Sequence, residues 1–276
     1  MIDHVLLAMR ASPDWAEFAR DHAAGITVSP DRYLPLDNPH FPRDIGPLIE
    51  RWNQFSNISY FVCRKHIRDI AADSLSRIRD TTLIRSTDVP QVLERLGDDQ
   101  CLLFYHDDDD WFHPELVHIL RGLALDAASF DVAVFPFLRL ASNMVTFTND
   151  GLPTASALGS YEPFRFRYCT NNYGLTRRAL ATGPLELVEH IDACNRATAL
   201  EFADTYCDVI VSATSKTPCS ASWLHKLPDD LEAFRNYVQA YVAVLRRFSA
   251  SPAAYWMETE LQKTISLFVA CASHVT

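Results

Sequence analysis

Residues 102 to 114 read Leu-Leu-Phe-Tyr-His-Asp-Asp-Asp-Asp-Trp-Phe-His-Pro, so an apolar run leads directly into four aspartates, Asp107 to Asp110. The apolar run Cys101 to Tyr105 is short and lacks helical spacing, which is typical of a fully buried strand. Consecutive carboxylates beside a core repel one another and are costly unless a cation neutralises them. We therefore predict a divalent-metal site at the end of a buried strand.

The residue types and their spacing suit a hard metal ion. Mg²⁺ or Mn²⁺ prefers oxygen ligands and commonly uses only one or two protein carboxylates. Alternate residues of an extended segment project to the same side, so Asp107 and Asp109 can face one ion together. The alternative is a solvated acidic loop, which the apolar strand before the run and Trp111 to Pro114 after it disfavour. An EF-hand is excluded, because the glycine and the distal glutamate that it requires are missing from their spacing.

Strands and helices are predicted to alternate on either side of this run. Strand patterns occur at Val5 to Met9, Ile58 to Cys63, Thr81 to Ile84, Cys101 to Tyr105 and Val132 to Leu138. Helical patterns occur at residues 14 to 24, Ile45 to Trp52, Ile67 to Ile78, Val89 to Leu96 and Pro114 to about Ala127. A hairpin around Asn149 to Gly151 and a strand-to-helix passage at Asn171 to Leu180 follow. This order predicts an α/β fold, with a parallel sheet between helices and ligands at the carboxyl ends of the strands.

The C-terminal part of the chain carries two amphipathic helical patterns. Their apolar stripes are Leu231, Phe234, Val238, Tyr241 and Leu245, then Trp256, Leu261, Ile265 and Phe268. We interpret the stripes as core, with a homodimer or membrane-adjacent surface as the alternative. The sequence thus predicts a catalytic domain over residues 1 to 228 and a C-terminal helical segment over residues 229 to 276.

Composition narrows the class of protein. The formal net charge of −10 over 276 residues argues against a sequence-independent nucleic-acid binder, which needs a basic face. The 7 cysteines are odd in number and include no C-x-x-C pair, so we expect them to be reduced. No signal peptide and no transmembrane segment is visible in the sequence. We expect a cytoplasmic protein, and peripheral attachment at the inner membrane stays open.

The segment Leu102 to Pro114 resembles the Asp-x-Asp-Asp-Trp-x-x-Pro segment of GT-A glycosyltransferases. Asp3 to Leu7 and Thr170 to Thr176 are also similar to segments of bacterial rhamnosyltransferase-like members. The resemblance implies a Rossmann-like GT-A fold, with a nucleotide-binding half over residues 1 to 110 and an acceptor half over residues 111 to 228. It implies metal-dependent sugar transfer from a UDP-, GDP- or dTDP-linked donor to a glycan or lipid-linked acceptor, in bacterial surface polysaccharide biosynthesis.

The resemblance also implies roles for individual residues. Asp107 and Asp109 would hold the Mn²⁺ or Mg²⁺ that bridges the donor diphosphate, and His225 would complete the metal shell. A hydrogen-bonded core histidine is the alternative for His225. The candidates for binding the nucleotide sugar are Arg10, Arg64, Ser86, Asp88, Asp108 and Asp110. The first four are chosen because they follow predicted strands, although ordinary exposed polar side chains would look the same.

An inverting transferase also needs a carboxylate base for the acceptor hydroxyl, and the acidic segment that usually supplies it is not matched here. The carboxylates in that region are Glu186, Glu189, Asp192, Glu201, Asp204 and Asp208, of which we favour Glu189 or Asp192. A retaining mechanism would need no such base. Two other classes remain, a metal-dependent phosphohydrolase or nucleotidyltransferase and a non-catalytic nucleotide- or glycan-binding relative. An Asp-x-Asp-x-Thr signature and a Gly-rich phosphate loop, which would favour the former, are absent from the sequence.

Overall fold

The computed structural model of the protein describes residues 2–9, 24, 46–141, 158–159, 172–182 and 202–273. The strands are β1 His4–Met9, β2 Thr81–Arg85, β3 Cys101–His106, β4 Asp110–Phe112, β5 Val132–Val134, β6 Phe137–Ala141, β7 Leu158–Gly159, β8 Tyr173–Thr176, β9 Asp204–Tyr206 and β10 Ser212–Lys216. The helices are α1 Gly46–Phe55, α2 Tyr60–Ser76, α3 Val89–Arg95, α4 Leu116–Gly122, α5 Arg177–Ala181, α6 Leu231–Ser249 and α7 Glu258–Ala272. Short 3₁₀ segments cover Ser86–Asp88, Ala221–Lys226 and Pro252–Met257.

The larger sheet has the strand order β2-β1-β3-β8-β5-β9 and is mostly parallel. Its one reversed strand among the described residues is β8, which pairs antiparallel with both β3 and β5. In the register of β1, Met9 lies opposite both Arg85 of β2 and His106 of β3. The carboxyl ends of these parallel strands are therefore level, and the aspartates follow β3 at that edge.

Both faces of this sheet are covered. Val5 and Leu7 of β1 belong to one buried apolar cluster, whereas Leu6 and Ala8 belong to a second cluster on the opposite face. Successive side chains of a strand point to opposite faces, so a strand buried on both sides reads as a continuous apolar run. This confirms the predicted α/β class, with a mostly parallel mixed sheet flanked by helices and followed by C-terminal helices.

A second sheet has the order β4-β10-β6-β7. The prediction of a single strand from Val132 to Leu138 is wrong, because this segment forms β5 in the larger sheet and β6 in the second one. Pro136 lies between the two strands and has no backbone N–H to donate to a ladder. The chain passes from one sheet to the other at this proline.

The predicted strand at Ile58 to Cys63 is also wrong, because Tyr60–Ser76 is one continuous helix, α2. Its buried face repeats every three or four residues, and its apolar members are Tyr60, Cys63, Ile67, Ile70, Ala71, Ala72 and Leu75. The aromatic and β-branched residues at its start favour a strand locally, but the helical face buries more apolar surface. The predicted helix from Pro114 is shorter than expected, since α4 ends at Gly122 and Ala124 has a φ of 48°.

Other predictions have mixed outcomes. The strands at Val5 to Met9, Thr81 to Ile84 and Cys101 to Tyr105 are confirmed, and so is the strand-to-helix passage, as β8 followed by α5. The helix over residues 14 to 24, of which only Ala24 is described, and the hairpin at Asn149 to Gly151 lie outside the described residues. The described cysteines are free and buried, as expected, namely Cys63, Cys101, Cys207, Cys219 and Cys271.

The C-terminal helices are part of the main core. Apart from Leu231, which is half-buried, the residues of both apolar stripes belong to the buried cluster that includes α1, α2 and β3. The ring of Phe234 meets that of Trp52 edge-on at 5.4 Å, and Tyr241 meets Phe268 at 5.2 Å. The interpretation of the stripes as core is thus confirmed. Among the residues described, no helix combines the length and apolar character that crossing a bilayer requires.

We predict that Phe234→Ala lowers the free energy of unfolding by about 3 to 5 kcal/mol, since it opens a cavity between α6 and α1. Urea titration monitored by tryptophan fluorescence would measure the change. Gln239→Ala, at an exposed position of the same helix, is the matched control and should leave the midpoint almost unchanged. A loss below about 1 kcal/mol for Phe234→Ala would mean that the C-terminal helices do not contribute to the main core.

Candidate functional site

The acidic run forms a turn between the two sheets. β3 ends at His106, and β4 begins at Asp110. The N–H of Asp110 donates to the carbonyl of Asp107 at 3.2 Å. In return, Oδ2 of Asp110 accepts the N–H of Asp107 at 3.0 Å. The carboxylates therefore project from a fixed turn at the edge where β1, β2 and β3 end.

Asp110 stabilises the joint between the sheets. Its Oδ1 accepts a hydrogen bond of 2.9 Å from Oγ1 of Thr214, the residue opposite it in the antiparallel pair of β4 and β10. The side chain is buried, and burial together with the neighbouring Asp107 and Asp109 carboxylates raises the pKa of Asp110 well above its usual value. The main role of Asp110 in the structure is thus to hold the turn.

Asp108 is neutralised by two arginines of α2. Its Oδ2 accepts hydrogen bonds of 2.8 Å from Nη2 of Arg64 and of 2.8 Å from Nε of Arg68. Burial alone would raise the pKa of Asp108, but the two guanidinium groups reverse this and hold it well below its usual value. Charge-assisted bonds of this kind, excluded from water, fix the turn firmly against α2.

Asp109 pairs with Lys216 at the end of β10. The ammonium Nζ of Lys216 lies 3.1 Å from Oδ2 and 3.4 Å from Oδ1, and Oγ of Ser220 is 3.5 Å from Oδ2. The carbonyl of Asp109 also accepts the N–H of Ser215 at 2.8 Å. Burial, with the Asp108 and Asp107 carboxylates, raises the pKa of Asp109 although Lys216 opposes that rise.

Four adjacent carboxylates crowd the turn. Asp107 is half-buried, and Asp108, Asp109 and Asp110 are buried. The cations that contact these carboxylates in the described part of the chain are Arg64, Arg68 and Lys216. Burial and the repulsion between adjacent carboxylates raise the pKa values of Asp109 and Asp110. Adjacent buried carboxylates are stabilised by cations.

Two histidines, His106 and His113, flank the turn. His106 is fully buried and packs on Phe112 at 5.5 Å, and burial lowers its pKa to about 4, so it is neutral at pH 7. His113 is hydrogen-bonded through Nε2 to the hydroxyl of Tyr255 at 2.9 Å. His113 therefore connects the site to the C-terminal region.

The predicted donor-binding residues do not all lie where the sequence suggested. Arg64 was predicted to follow a strand, but it lies within α2, where its guanidinium donates a hydrogen bond to Asp108. Asp88 lies just after β2, as expected, and accepts a hydrogen bond of 2.8 Å from Nε of Arg85. Ser86 begins the 3₁₀ segment after β2. Arg10 lies outside the described residues.

The candidate bases are mostly outside the described part of the chain. Glu186, Glu189, Asp192 and Glu201 all fall there, so Glu189 and Asp192 stay predictions. Asp204 begins β9 at the edge of the larger sheet, and Asp208 is exposed.

The three expected metal ligands are not brought together. Within the described ranges, no group of three or more His, Cys, Asp or Glu side chains is arranged to hold a metal ion. His225 is exposed in the 3₁₀ segment Ala221–Lys226. Asp109 faces Lys216, and Asp107 is half-buried beside it. The chemistry of Asp107 and Asp109 fits a hard cation, but Asp109 would first have to exchange its lysine partner.

Sequence reasoning missed Arg68 and Lys216. A signal for Arg68 was present, because Arg64 and Arg68 are four residues apart and share one face of a helix. The wrong strand at Ile58 to Cys63 concealed that face. Lys216 has no local signal, since only the pairing of β10 with β4 brings it beside Asp109.

No protein-family model matches the chain, and no curated protein matches it either. The resemblance to GT-A glycosyltransferases therefore depends on the acidic segment itself.

We predict that Asp108→Asn lowers the free energy of unfolding by about 3 to 5 kcal/mol at pH 7, because two buried guanidinium groups lose their counter-charge. Equilibrium urea titration would measure the loss. Asp88→Asn, which alters an exposed arginine pair, is the control and should shift the midpoint little. Equal effects of the two substitutions would contradict the role assigned to the buried pair.

Asp110 should make stability depend on pH. Its folded pKa lies above that of an unfolded aspartate, about 3.9, so the folded state holds the proton more strongly. The contribution of Asp110 is therefore present below pH 4 and is lost as the pH rises through the folded pKa. We therefore expect the free energy of unfolding of Asp110→Asn, minus that of the wild type, to increase between pH 4 and pH 7. Urea titration in the presence of chelator would measure this difference. Asp98→Asn, at an exposed position, should show no such trend.

Proposed function

We propose that the protein is a metal-dependent glycosyltransferase of the GT-A type. It transfers a sugar from a nucleotide-sugar donor to a glycan or lipid-linked acceptor. The observation that carries the proposal is the turn of buried carboxylates at the carboxyl end of β3, where three parallel strands end level. In open α/β sheets, ligands bind outside that edge.

The strand order agrees with this proposal. A nucleotide needs a surface formed by several parallel strands, and β2, β1 and β3 supply it in the first half of the described chain. The reversed strand β8 and the second sheet separate this half from the later part, where we expect the acceptor to bind. The resemblance at Leu102 to Pro114 suggests the same division of the chain.

The electrostatics support a donor that arrives with a divalent cation. A nucleoside diphosphate is anionic, and the carboxylates of the turn would repel it. When bound, Mn²⁺ or Mg²⁺ would offset the charge that grows on the departing diphosphate. Asp107 and Asp109 would hold the ion, while Asp108 and Asp110 keep the turn rigid through Arg64, Arg68 and Thr214.

The remaining parts of the proposal come from the sequence. Glu189 or Asp192 would take the proton of the acceptor hydroxyl if the reaction inverts the sugar. Arg10, Ser86 and Asp88 would contact the nucleotide, since Asp88 lies at the end of β2. We place the enzyme in the cytoplasm, in the synthesis of a bacterial surface polysaccharide.

Thermal-shift measurements test the proposed function. We expect UDP, GDP or dTDP, or one of their sugars, to raise the melting temperature with Mn²⁺ present and not with chelator, because binding to the native state stabilises it. Asp107→Ala should lose the shift and the sugar transfer, because it removes a proposed metal ligand. Asp98→Ala, an exposed carboxylate in the loop before β3, should keep both.

Other outcomes would contradict the proposal. A nucleotide-induced rise in melting temperature that persists in chelator would contradict the requirement for a metal ion. Sugar transfer by Asp107→Ala in excess chelator would contradict the assignment of the acidic turn to the active site. Release of phosphate from the nucleotide without transfer would favour a phosphohydrolase instead.

A further inference from the structure

Three cysteines from distant parts of the chain meet in the core. Cys63 lies near the start of α2, Cys219 follows β10, and Cys271 lies in the last turn of α7. Sγ of Cys63 is 3.3 Å from Sγ of Cys219 and 3.9 Å from Sγ of Cys271. All three side chains are fully buried. The shorter contact joins residues 156 positions apart, so tertiary packing alone brings these two thiols together.

The sulfurs of Cys63 and Cys219 are close to the separation of a disulfide. The two sulfurs of a disulfide are about 2.05 Å apart, so a short movement of either side chain would bring the 3.3 Å contact to bonding distance. Cys271 is the less suited partner of Cys63, because its sulfur is farther away. The pair Cys63 and Cys219 is therefore the one to consider as a redox site.

Packing alone is the plainer explanation of the cluster, because free cysteine is often buried and behaves as a small apolar side chain. The surroundings of Cys219 are polar, however. Oγ1 of Thr217 lies 3.3 Å from its sulfur, and the positive charge of Arg64 acts on the same atom. An inert core cysteine has apolar neighbours, whereas reactive cysteines lie beside cations and hydrogen-bonding groups.

The two thiols differ in acidity. Burial alone would raise the pKa of Cys219, but the hydrogen bond from Cys63, the charge of Arg64 and the contact with Thr217 hold it below its usual value. Burial and the neighbouring sulfurs raise the pKa of Cys63 well above its usual value. The thiolate is the nucleophilic form of cysteine, so Cys219 is the better attacking group and Cys63 the better proton donor.

Two polar groups beside this pair can still form hydrogen bonds. Nη1 of Arg64 and the hydroxyl of Tyr60 are buried and have no hydrogen-bond partner within the described part of the chain. Both residues interact electrostatically with Cys219. Buried polar groups without partners are costly, and a small molecule that donates and accepts hydrogen bonds would satisfy them. Hydrogen peroxide is such a molecule, whereas a large oxidant would not reach fully buried sulfurs.

We propose that Cys63 and Cys219 form a dithiol that hydrogen peroxide oxidises reversibly to a disulfide. The thiolate of Cys219 takes a hydroxyl group from the peroxide and becomes a sulfenic acid, while the O–O bond breaks and hydroxide leaves. The hydroxide forms water with the proton that Cys219 has lost. The thiol of Cys63 then attacks the oxidised sulfur, the S–O bond breaks, and a second water leaves with the proton of Cys63. Two electrons thus pass from the sulfurs to the peroxide.

The disulfide would connect two elements that support the acidic turn. Arg64, next to Cys63, donates a hydrogen bond to Asp108, and Oγ of Ser220, next to Cys219, lies 3.5 Å from Asp109. A cross-link between such distant positions restricts the unfolded chain. The oxidised protein should therefore melt at a temperature higher by about 5 °C or more. The inference does not depend on the proposed function, because it involves no sugar donor, acceptor or metal ion.

Peptide mapping of the folded wild type tests the proposal. Trypsin cleaves on both sides of each cysteine of the pair, so Cys63 falls in peptide 52–64 and Cys219 in peptide 217–226. After treatment with a small excess of hydrogen peroxide, we expect these peptides to be joined, and dithiothreitol to separate them. The melting temperature should rise on oxidation and return on reduction. Cys207→Ser, at another buried cysteine, is the matched control and should give the same joined peptides.

Substitutions of the pair separate the roles of its thiols. In Cys63→Ser, peroxide should leave on Cys219 a sulfenic acid that dimedone traps, because the thiol that would displace it is missing. In Cys219→Ser, Cys63 should react about tenfold more slowly with peroxide than Cys219 does in the wild type, since its pKa is raised. Thermal denaturation checks that each variant is folded, and the mapping of the wild type stands if either is not.

Several outcomes would overturn the proposal. One is the absence of the joined peptides from folded wild type after peroxide treatment, and another is their formation only in urea. A disulfide from Cys63 to Cys271, found as peptide 52–64 joined to peptide 264–276, would contradict the choice of Cys219. Oxidation that is equally fast with glutathione disulfide would contradict the selection of a small oxidant.

Discussion

The cost of burying several carboxylates side by side is the constraint on which the rest of this structure depends. Asp108, Asp109 and Asp110 are all buried, so each needs a partner that the fold must deliver from elsewhere in the chain. Helix α2 delivers the arginines, and β10 delivers Lys216 and the hydroxyl of Thr214. Loss of one partner from a buried ion pair leaves an uncompensated charge. These contacts therefore determine the geometry of the whole region.

The acidic turn also connects the two sheets. β3 belongs to the larger sheet and β4 to the second one, and only the residues Asp107 to Asp109 separate them in sequence. Its hydrogen bonds therefore set how the second sheet continues from the first. A site built on such a joint is rigid in its backbone, whereas the lysine at its edge keeps the freedom of a long side chain.

Much of the fold could be predicted from the sequence, because its signals are local. The continuous apolar run before Asp107 predicts a strand buried on both faces, and the stripes of α6 and α7 predict helices that pack in the core. The failures also have physical causes. The residues from Ile58 to Cys63 favour a strand by local preference, yet the burial of one helical face prevailed. Pro136 divides one apolar run between two sheets, a choice that depends on which neighbouring strands are available.

The sequence by itself determined that a run of carboxylates follows a core strand, and hence that cations must gather there. It could not determine which cations. Arg64 and Arg68 become partners of Asp108 only when α2 packs against the turn, and Lys216 reaches Asp109 only through the antiparallel pairing of β10 with β4. The need for neutralising cations comes from carboxylates that are adjacent in sequence, so the sequence alone shows it. At the acidic turn, charge partners are separated by up to 107 positions, so tertiary packing alone decides them.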